Sequence, residues 1–530
     1  MGGIAPDSPC LYLKGGGFMF QIKNVTIVHR KDLRTLAEDF SFVLNPGDKA
    51  VMIGEEGNGK STLLKWIYDP ELVADYAEVT GERVLSGERL GYLPQELPAA
   101  DREKTVYEFF TEDEVFWEQT PRELGELASR FRVAEDFFYR DQRMETLSGG
   151  EKVKAQLMRL LFRSPTVFLL DEPSNDIDLH TLEWLEGFIR DAKETFLFIS
   201  HDEVLIERTA TVVLHMEQLR RKTMSRTTVM RVPYAEYVQM REANMHNQEV
   251  LAQTQRREMA IKEEKYRQLR QKVEHAQASV SRQDPATGRL LKKKMHVVKS
   301  MEHRYEREKE EMAEHPDTED AMYLTFDASA SQVPAGKTVL ELELPELRSP
   351  SGAVLARDIS LRIRGSEKVC IIGDNGAGKS TLIRKIAEEL LERPDLKAQY
   401  MPQNYIDLLD EEATPVDFLC KVGDKEERTR IRTYLGSMKY TADEMEHRIG
   451  DLSGGQKAKV LLLKLKMSGA NVLILDEPTR NFSPLSGPVI RRMLRDFPGA
   501  ILSVSHDRRF MEEVCDRVLV LTPQGLKETR

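Results

Sequence analysis

Residues Gly54–Thr62 read GEEGNGKST, and Gly373–Thr381 read GDNGAGKST. Each stretch follows a short apolar run, KAVMIG or KVCIIG, and opens a helix-forming run, KSTLLKWIY or KSTLIRKIA. The pattern G-x-x-x-x-G-K-[ST] between a strand and a helix predicts a phosphate cradle. Its glycines let backbone N–H groups close around phosphate oxygens, and the helix N-terminus adds its dipole. The residues expected around the nucleotide are Gly54, Gly57, Asn58, Gly59, Lys60, Ser61 and Thr62 in the first copy. In the second they are Gly373, Asn375, Gly376, Ala377, Gly378, Lys379, Ser380 and Thr381. Lys60 and Lys379 are expected to reach the β and γ phosphates, and Ser61 and Ser380 to hold Mg²⁺.

Three further motifs recur in the same order. LSGGEK at Leu147 returns as LSGGQK at Leu452, VFLLDEP ending at Pro173 as VLILDEP ending at Pro478, and ISHDE at Ile199 as VSHDR at Val504. Ser148 lies 23 residues before Asp171, as Ser453 does before Asp476; Asp171 lies 30 residues before His201, as Asp476 does before His506. Repeated order and spacing imply two homologous α/β modules, residues 19–238 and 321–530, each a mostly parallel sheet covered by helices. Asp171 and Asp476 end buried apolar strands and suit Mg²⁺, with Gln95 and Gln403 joining the metal and water to the helical part of each module. Glu172 and Glu477 suit the orienting of an attacking water, and His201 and His506 the sensing of the γ phosphate. Ser148, Gly149 and Gly150, and likewise Ser453, Gly454 and Gly455, open helices and form second anion cradles. A P-loop already holds the triphosphate within each module, so each second cradle is expected to close the other module's site. Two ATP molecules would then be sandwiched head to tail, closing the clamp on binding and opening it on hydrolysis.

The chain has 530 residues, 40% hydrophobic and 31% charged, with a formal net charge of −11. That balance is globular and argues against indiscriminate nucleic-acid binding, while leaving room for a local basic patch. The cysteines Cys10, Cys370, Cys420 and Cys515 show no metal-ligand spacing, which argues against a zinc site or a disulfide framework and suits a reducing cytoplasm. No apolar run approaches bilayer-spanning length, and the N-terminus lacks the pattern of a signal peptide. Residues 1–18 are expected to be a disordered extension, with Met19 as an alternative start.

Between the modules, residues 239–320 form a charged linker. No proline or glycine occurs from Met245 to Gln283. Tyr266, Leu269, Val273, Ala276 and Val280 step by three and four, and Leu291, Val298, Met301, Tyr305 and Met312 fall on the same heptad grid. The reading is an antiparallel coiled-coil hairpin turning at DPATG, where Pro285 stops one helix and Gly288 lets the chain reverse. A longer arm of ~38 residues would reach nearly 60 Å at ~1.5 Å per residue. Arg282, Arg289, Lys292, Lys293, Lys294 and Lys299 stand near the tip against the single acid Asp284, a local charge of +5 on an acidic chain. Such a tip can neutralise several phosphates and suits structured RNA.

Through its P-loops, LSGG motifs, strand-end acids and histidines the chain resembles the ATP-binding cassette superfamily. This resemblance implies Mg²⁺-dependent ATP hydrolysis. The tandem cassettes, the helical linker of about 80 residues and the lack of a membrane segment make it similar to the ABC-F family, over nearly everything after Met19. This resemblance implies a monomeric cytoplasmic ATPase with intramolecular cassette pairing. It also implies binding in the ribosomal exit site, with the linker reaching toward P-site tRNA, rRNA and the peptidyl-transferase centre. Family roles include translation factors and proteins that protect ribosomes from antibiotics. The alternative is the ATPase subunit of a membrane importer. A purely structural protein with dead cassettes is disfavoured by intact Lys60, Lys379, Glu172 and Glu477.

The chain departs from the family pattern in places. After the strand-end acids the family reads close to T-N-x-L-D. The first module's SNDID fits, closing with Asp178, but the second module's TRNFSPLSG carries no acid. This predicts unequal hydrolysis at the two sites. The aromatic expected to stack on adenine is missing, with His29 as its substitute in the first module and nothing aromatic in LRSPSGAVL of the second. Glu56 stands where the second copy has Asn375, and the sequence supplies no reason for it.

Overall fold

The computed structural model describes residues 19–31, 33–219, 224–279, 285–310, 326, 331–404 and 408–529. The chain forms two compact units, one from Met1–Tyr234 with Glu319–Arg530 and the other from Ala235–Thr318. The expected N-terminal extension, residues 1–18, lies outside the described residues.

The first unit holds both modules. Each is built on a six-stranded sheet of the same topology. In the first module the spatial order is Leu90–Leu93, Val167–Asp171, Thr195–Ile199, Lys49–Ile53, Val212–Leu219 and Met224–Met230. In the second it is Ala398–Met401, Val472–Asp476, Ala500–Val504, Lys368–Ile372, Arg517–Thr522 and Gly525–Glu528. All neighbours run parallel except the last pair in each sheet. The central strands VFLLD, TFLFI and VLILD are buried at every position, as a sheet covered on both faces requires. Antiparallel strands Met19–His29, Thr35–Leu44 and Ala77–Ser86 pack over the first module, and Thr338–Arg348 with Val354–Arg364 over the second. Because the parallel strands all point one way, the P-loop, the strand-end acids and the histidine loops emerge at the same carboxyl edge, where a ligand site is expected in such sheets.

Opposite charges line the faces where the modules meet. Arg491 of the second module is buried and grips Glu203 of the first at 2.7 and 3.0 Å. Arg508 reaches Asp202 at 3.0 Å and also pairs with Glu186, and Arg509 reaches Glu207 at 2.6 Å.

The second unit contains helices Tyr234–Ser279 and Pro285–Glu310. Lys262 meets Glu308 at 2.8 Å, Tyr266 packs edge-on against Tyr305, and Arg270 lies 3.6 Å from Glu302. Partners descend in one helix as they ascend in the other, so the two lie side by side in opposite directions. Buried Ala252, Met259 and Val273 of the first helix keep register with Tyr266 at seven-residue steps, as Leu291 and Val298 do with Tyr305 in the second.

Two details of the expected linker are corrected. Leu269 is 39% exposed. The contact face turns toward Glu263 and Arg270, whose ion pairs with Lys309 and Glu302 leave Leu269 at its edge. Pro285 and Gly288 do not make the reversal, because both lie inside the second helix. A proline is tolerated in a first helical turn, where its missing N–H has no intrahelical acceptor. The first helix ends at Ser279 and the second begins at Pro285; residues 280–284 lie outside the described residues.

Candidate functional site

Gly59 and Gly378 cap the two P-loop helices in left-handed conformations, φ 88° and 98°, that glycine adopts without strain. Lys60 and Lys379 follow as the first helical residues. Each ammonium folds back over its own loop, Lys60 donating to the carbonyls of Gly54 and Glu55 at 2.9 Å and Lys379 to those of Gly373 and Asp374 at 2.7 and 2.9 Å. Burial lowers the pKa of both lysines, opposed by nearby carboxylates. Asn58 is turned away from the loop's mouth, and its buried amide donates to the Met216 carbonyl at 2.9 Å. Its side chain therefore fastens the P-loop to the adjoining strand.

The signature motifs begin long helices. Ser148 and Ser453 cap them, each in a reciprocal box with the residue three further on, Glu151 or Gln456. A Cβ on Gly149 would lie 1.9 Å from the Asp176 carbonyl, so only glycine fits against the loop that follows the strand-end acids.

The two modules complete one another's sites. His201 Nδ1 bonds the Phe482 carbonyl of the second module at 2.8 Å. Asn375 donates to the Asp176 carbonyl of the first at 2.7 Å. Gly149, Asn175, Asp176 and His201 of the first module line one cavity of about 570 Å³ with Lys379, Ser380, Gln403, Asp476, Glu477 and His506 of the second. Ser349 and Leu355 line it too, consistent with the absence of an aromatic there.

Equivalent residues have unequal surroundings. In the first set, Ser61 donates to Asp171 at 2.8 Å, and Tyr92, which sequence reasoning did not single out, approaches Asp171 at 3.4 Å. Burial raises the Asp171 carboxyl to about 6, with Ser61 opposing. Glu172 accepts from Gln95 at 2.9 Å and from Asn175, and His201 Nε2 lies 3.2 Å from its other oxygen. Both partners of His201, the Phe482 carbonyl and the Glu172 carboxylate, are oxygen atoms. Burial pushes Glu172 up, but His201, Lys60 and Asn175 outweigh it and hold the carboxyl at about 2.

In the second set Glu477 is mostly buried, its side chain 13% exposed. It accepts from the His506 N–H at 3.2 Å and the Ser505 hydroxyl at 3.4 Å, while His506 Nε2 lies 3.7 Å away. Burial and the neighbouring Asp476 push Glu477 up to about 8, against the His506 backbone bond and Lys379. Burial, with Lys379, lowers His506 to about 4. Both glutamates have left-handed backbones, φ 50° for Glu172 and 53° for Glu477. Such angles are uncommon outside glycine and mark positions held by their surroundings.

The donors Ser61, Gln95 and Asp171, and Ser380, Gln403 and Asp476, are hard oxygens of the kind Mg²⁺ takes. Asp476 Oδ1 is buried without a hydrogen-bond partner, which fits a cation at that point. No group of three or more His, Cys, Asp or Glu gathers into a metal site among the described residues, so a cation there would draw its remaining ligands from phosphate or water.

Among the expected RNA-binding residues, Arg289, Lys292, Lys293, Lys294 and Lys299 are exposed on the second linker helix, and Arg282 lies outside the described residues. No helix among the described residues is long and apolar enough to cross a membrane.

Comparison with known proteins agrees with this architecture. The ABC transporter family matches the chain twice, at residues 37–175 and 356–480. ABC transporter F family member 5 of Arabidopsis thaliana is 25% identical over 72% of this chain, which spans about half of that relative, 52%. Energy-dependent translational throttle protein EttA of Haemophilus influenzae is 26% identical over 93% of this chain and 90% of its own. Tylosin resistance ATP-binding protein TlrC of Streptomyces fradiae is 28% identical over 91% and 94%. Among solved structures, an archaeal ribosome recycling factor, aABCE1, in complex with the stalk protein aP1, superposes with a TM-score of 0.56 at 16% identity, covering 96% of this chain and 90% of that one, a likeness of fold. With both cassettes matched, the chain belongs to the ABC transporter family, and relatives such as EttA and TlrC align with it along nearly their whole length.

Proposed function

We propose that this protein is a cytoplasmic, ribosome-associated ATPase in which a monomer folds its two cassettes into one head-to-tail clamp. The observation that carries the reading is the reciprocal completion of the sites, His201 on Phe482 and Asn375 on Asp176. The P-loop glycines with Thr62, Ala377 and Thr381 would surround the phosphates, and Lys60 and Lys379 would swing from their carbonyls to the β and γ oxygens. Mg²⁺, held by Ser61, Gln95 and Asp171 or by Ser380, Gln403 and Asp476, would neutralise charge on those oxygens. Glu172 and Glu477 orient the attacking water, and His201 and His506 hold the glutamates against the terminal phosphate. Ser148, Gly149 and Gly150 would close on the second site, and Ser453, Gly454 and Gly455 on the first.

The linker is read as an antiparallel coiled-coil hairpin. Its basic end, Arg282, Arg289, Lys292, Lys293, Lys294 and Lys299, would contact rRNA and P-site tRNA. The names of two relatives, a translational throttle and a tylosin resistance protein, support an action on translation, as a regulator or as an antibiotic-protection factor. The test is steady-state ATP hydrolysis by the full chain with and without ribosomes. Ribosomes should raise the rate, and Glu172→Gln with Glu477→Gln should abolish it. A rate indifferent to ribosomes contradicts the reading and redirects attention to a membrane-importer partner.

A further inference from the structure

The unexplained acid of the first P-loop meets the second module's signature. Asn375, at the corresponding place in the second P-loop, bonds the Asp176 carbonyl of the first module. Glu56 instead extends to the N-terminus of helix Gly454–Ser468, where its Oε2 accepts the Gly455 N–H. A Cβ on Gly454 or Gly455 would lie 3.2 or 3.3 Å from that same oxygen, so both glycines make room for the carboxylate. Glu55 beside it pairs with buried Lys459 of that helix at 3.2 Å. Glu55 and Glu56 line a small cleft of about 20 Å³ with Ser453, Gly455 and Lys459 of the signature helix. At the second site the corresponding Asn375 lines the composite cavity and carries no charge.

A helix N-terminus offers its free N–H groups to one anion at a time. In the proposed clamp that anion is the terminal phosphate of ATP. At the first site a carboxylate already stands there, and a triphosphate reaching the same groups would meet a like charge at close range. A diphosphate lies on the P-loop without needing the cradle. We propose that Glu56 makes the first composite site selective for a nucleoside diphosphate over a triphosphate, leaving the second as the triphosphate site. Glu56 thus takes the place of the γ phosphate and lets the first site close around the diphosphate.

This inference rests on the clamp reading above and is tested so that the two fail separately. Mg-ATP and Mg-ADP are titrated calorimetrically into the full chain carrying Glu172→Gln and Glu477→Gln, with Lys379→Ala to leave only the first site or Lys60→Ala to leave only the second. The first-site protein should bind ADP at least ten-fold more tightly than ATP, and the second-site protein ATP at least as tightly as ADP. Glu56→Asn, which copies the second P-loop, should raise first-site ATP affinity at least ten-fold and change ADP affinity less than two-fold. Glu56→Gln, nearly isosteric, should do the same and guards against a folding effect. An unchanged ATP-to-ADP ratio in both variants overturns the role of Glu56 and leaves the clamp intact. So does a first site that binds no nucleotide while the second does. Loss of all nucleotide binding in the chain before Lys60 or Lys379 is altered overturns the clamp itself.

Discussion

Arg480 of the second cassette and Asp176 of the first form a two-point ion pair, Nη1 to Oδ1 at 2.9 Å and Nη2 to Oδ2 at 3.0 Å. The Asp176 backbone is left-handed at φ 58°, and its carbonyl also takes the Asn375 amide. The loop after the first strand-end acids is therefore gripped twice by the opposite cassette. TRNFSPLSG looked deficient because it carries no acid; the structure shows its Arg480 reaching Asp176, two residues before the Asp178 that closes the other copy's motif.

Arg480 also lines the larger cavity, and its charge lowers the Asp476 and Glu477 carboxyls against their burial. Both partners of the pair are partly exposed, at 29% and 59%, so the pair itself contributes about 0–1 kcal/mol. Arg480→Ala should leave thermal stability nearly unchanged while slowing ATP hydrolysis several-fold. The exchange Arg480→Asp with Asp176→Arg should recover part of the rate if pairing carries the effect. Steady-state rates beside melting curves separate the two.

Arg491 is different, because it is buried and bonds Glu203 through two nitrogens. Arg491→Ala leaves the largely buried Glu203 carboxylate, and Glu513 at 3.1 Å, without their arginine and should cost about 3–5 kcal/mol, read as a large fall in denaturant midpoint. Arg491→Met with Glu203→Met removes both charges and should recover most of that loss.

Glu477 predicts a pH dependence of stability. Its carboxyl rises from 4.5 to about 8 on folding, so the folded chain binds more protons than the unfolded one between those values. Stability should fall as pH climbs through that window, and at pH 8 the buried acid costs on the order of 4 kcal/mol. Glu477→Gln should be more stable than the parent, by a margin that widens from pH 5 to pH 8. Glu172, held at about 2, has the opposite sign. Its contribution is full above 4.5 and lost as pH falls toward 2, so Glu172→Gln should not share the gain. Melting temperatures across pH 2–8 read both.

The exposed lysines Lys292, Lys293 and Lys294 predict a salt effect. Changing all three to Ala should weaken ribosome binding and lower the slope of log affinity against log salt by roughly 2, since each phosphate contact contributes ~0.7–0.9. Affinity measured at several salt concentrations checks it.

Much of this site was legible because phosphate chemistry demands rigid spacing: a signature serine, an acid and a histidine at equal intervals in two copies leave few alternatives. What was hidden depends on contacts distant in sequence. Glu56 had no account because its partner, Gly455, is 399 residues away. Asn58 sits in the phosphate motif, and its side-chain amide also fastens the loop to a strand 158 residues away in sequence, which the motif did not foretell. Tyr92 carried no motif at all. In the linker the heptad grid found Tyr266, Val273, Leu291 and Val298 but missed Met259. It also included Leu269, because spacing alone does not tell which edge of an apolar stripe ion pairs will cover. Gly288 was read as a break, but a single glycine costs a helix only about 1 kcal/mol.

The most direct test of the account is ATP-dependent sedimentation with ribosomes, using the full chain with Glu172→Gln and Glu477→Gln so that a closed clamp persists. The account predicts co-sedimentation with ATP, little without it, and weaker co-sedimentation when Lys292, Lys293 and Lys294 are changed to Ala. A protein that binds ATP yet stays in the supernatant with and without nucleotide would contradict it.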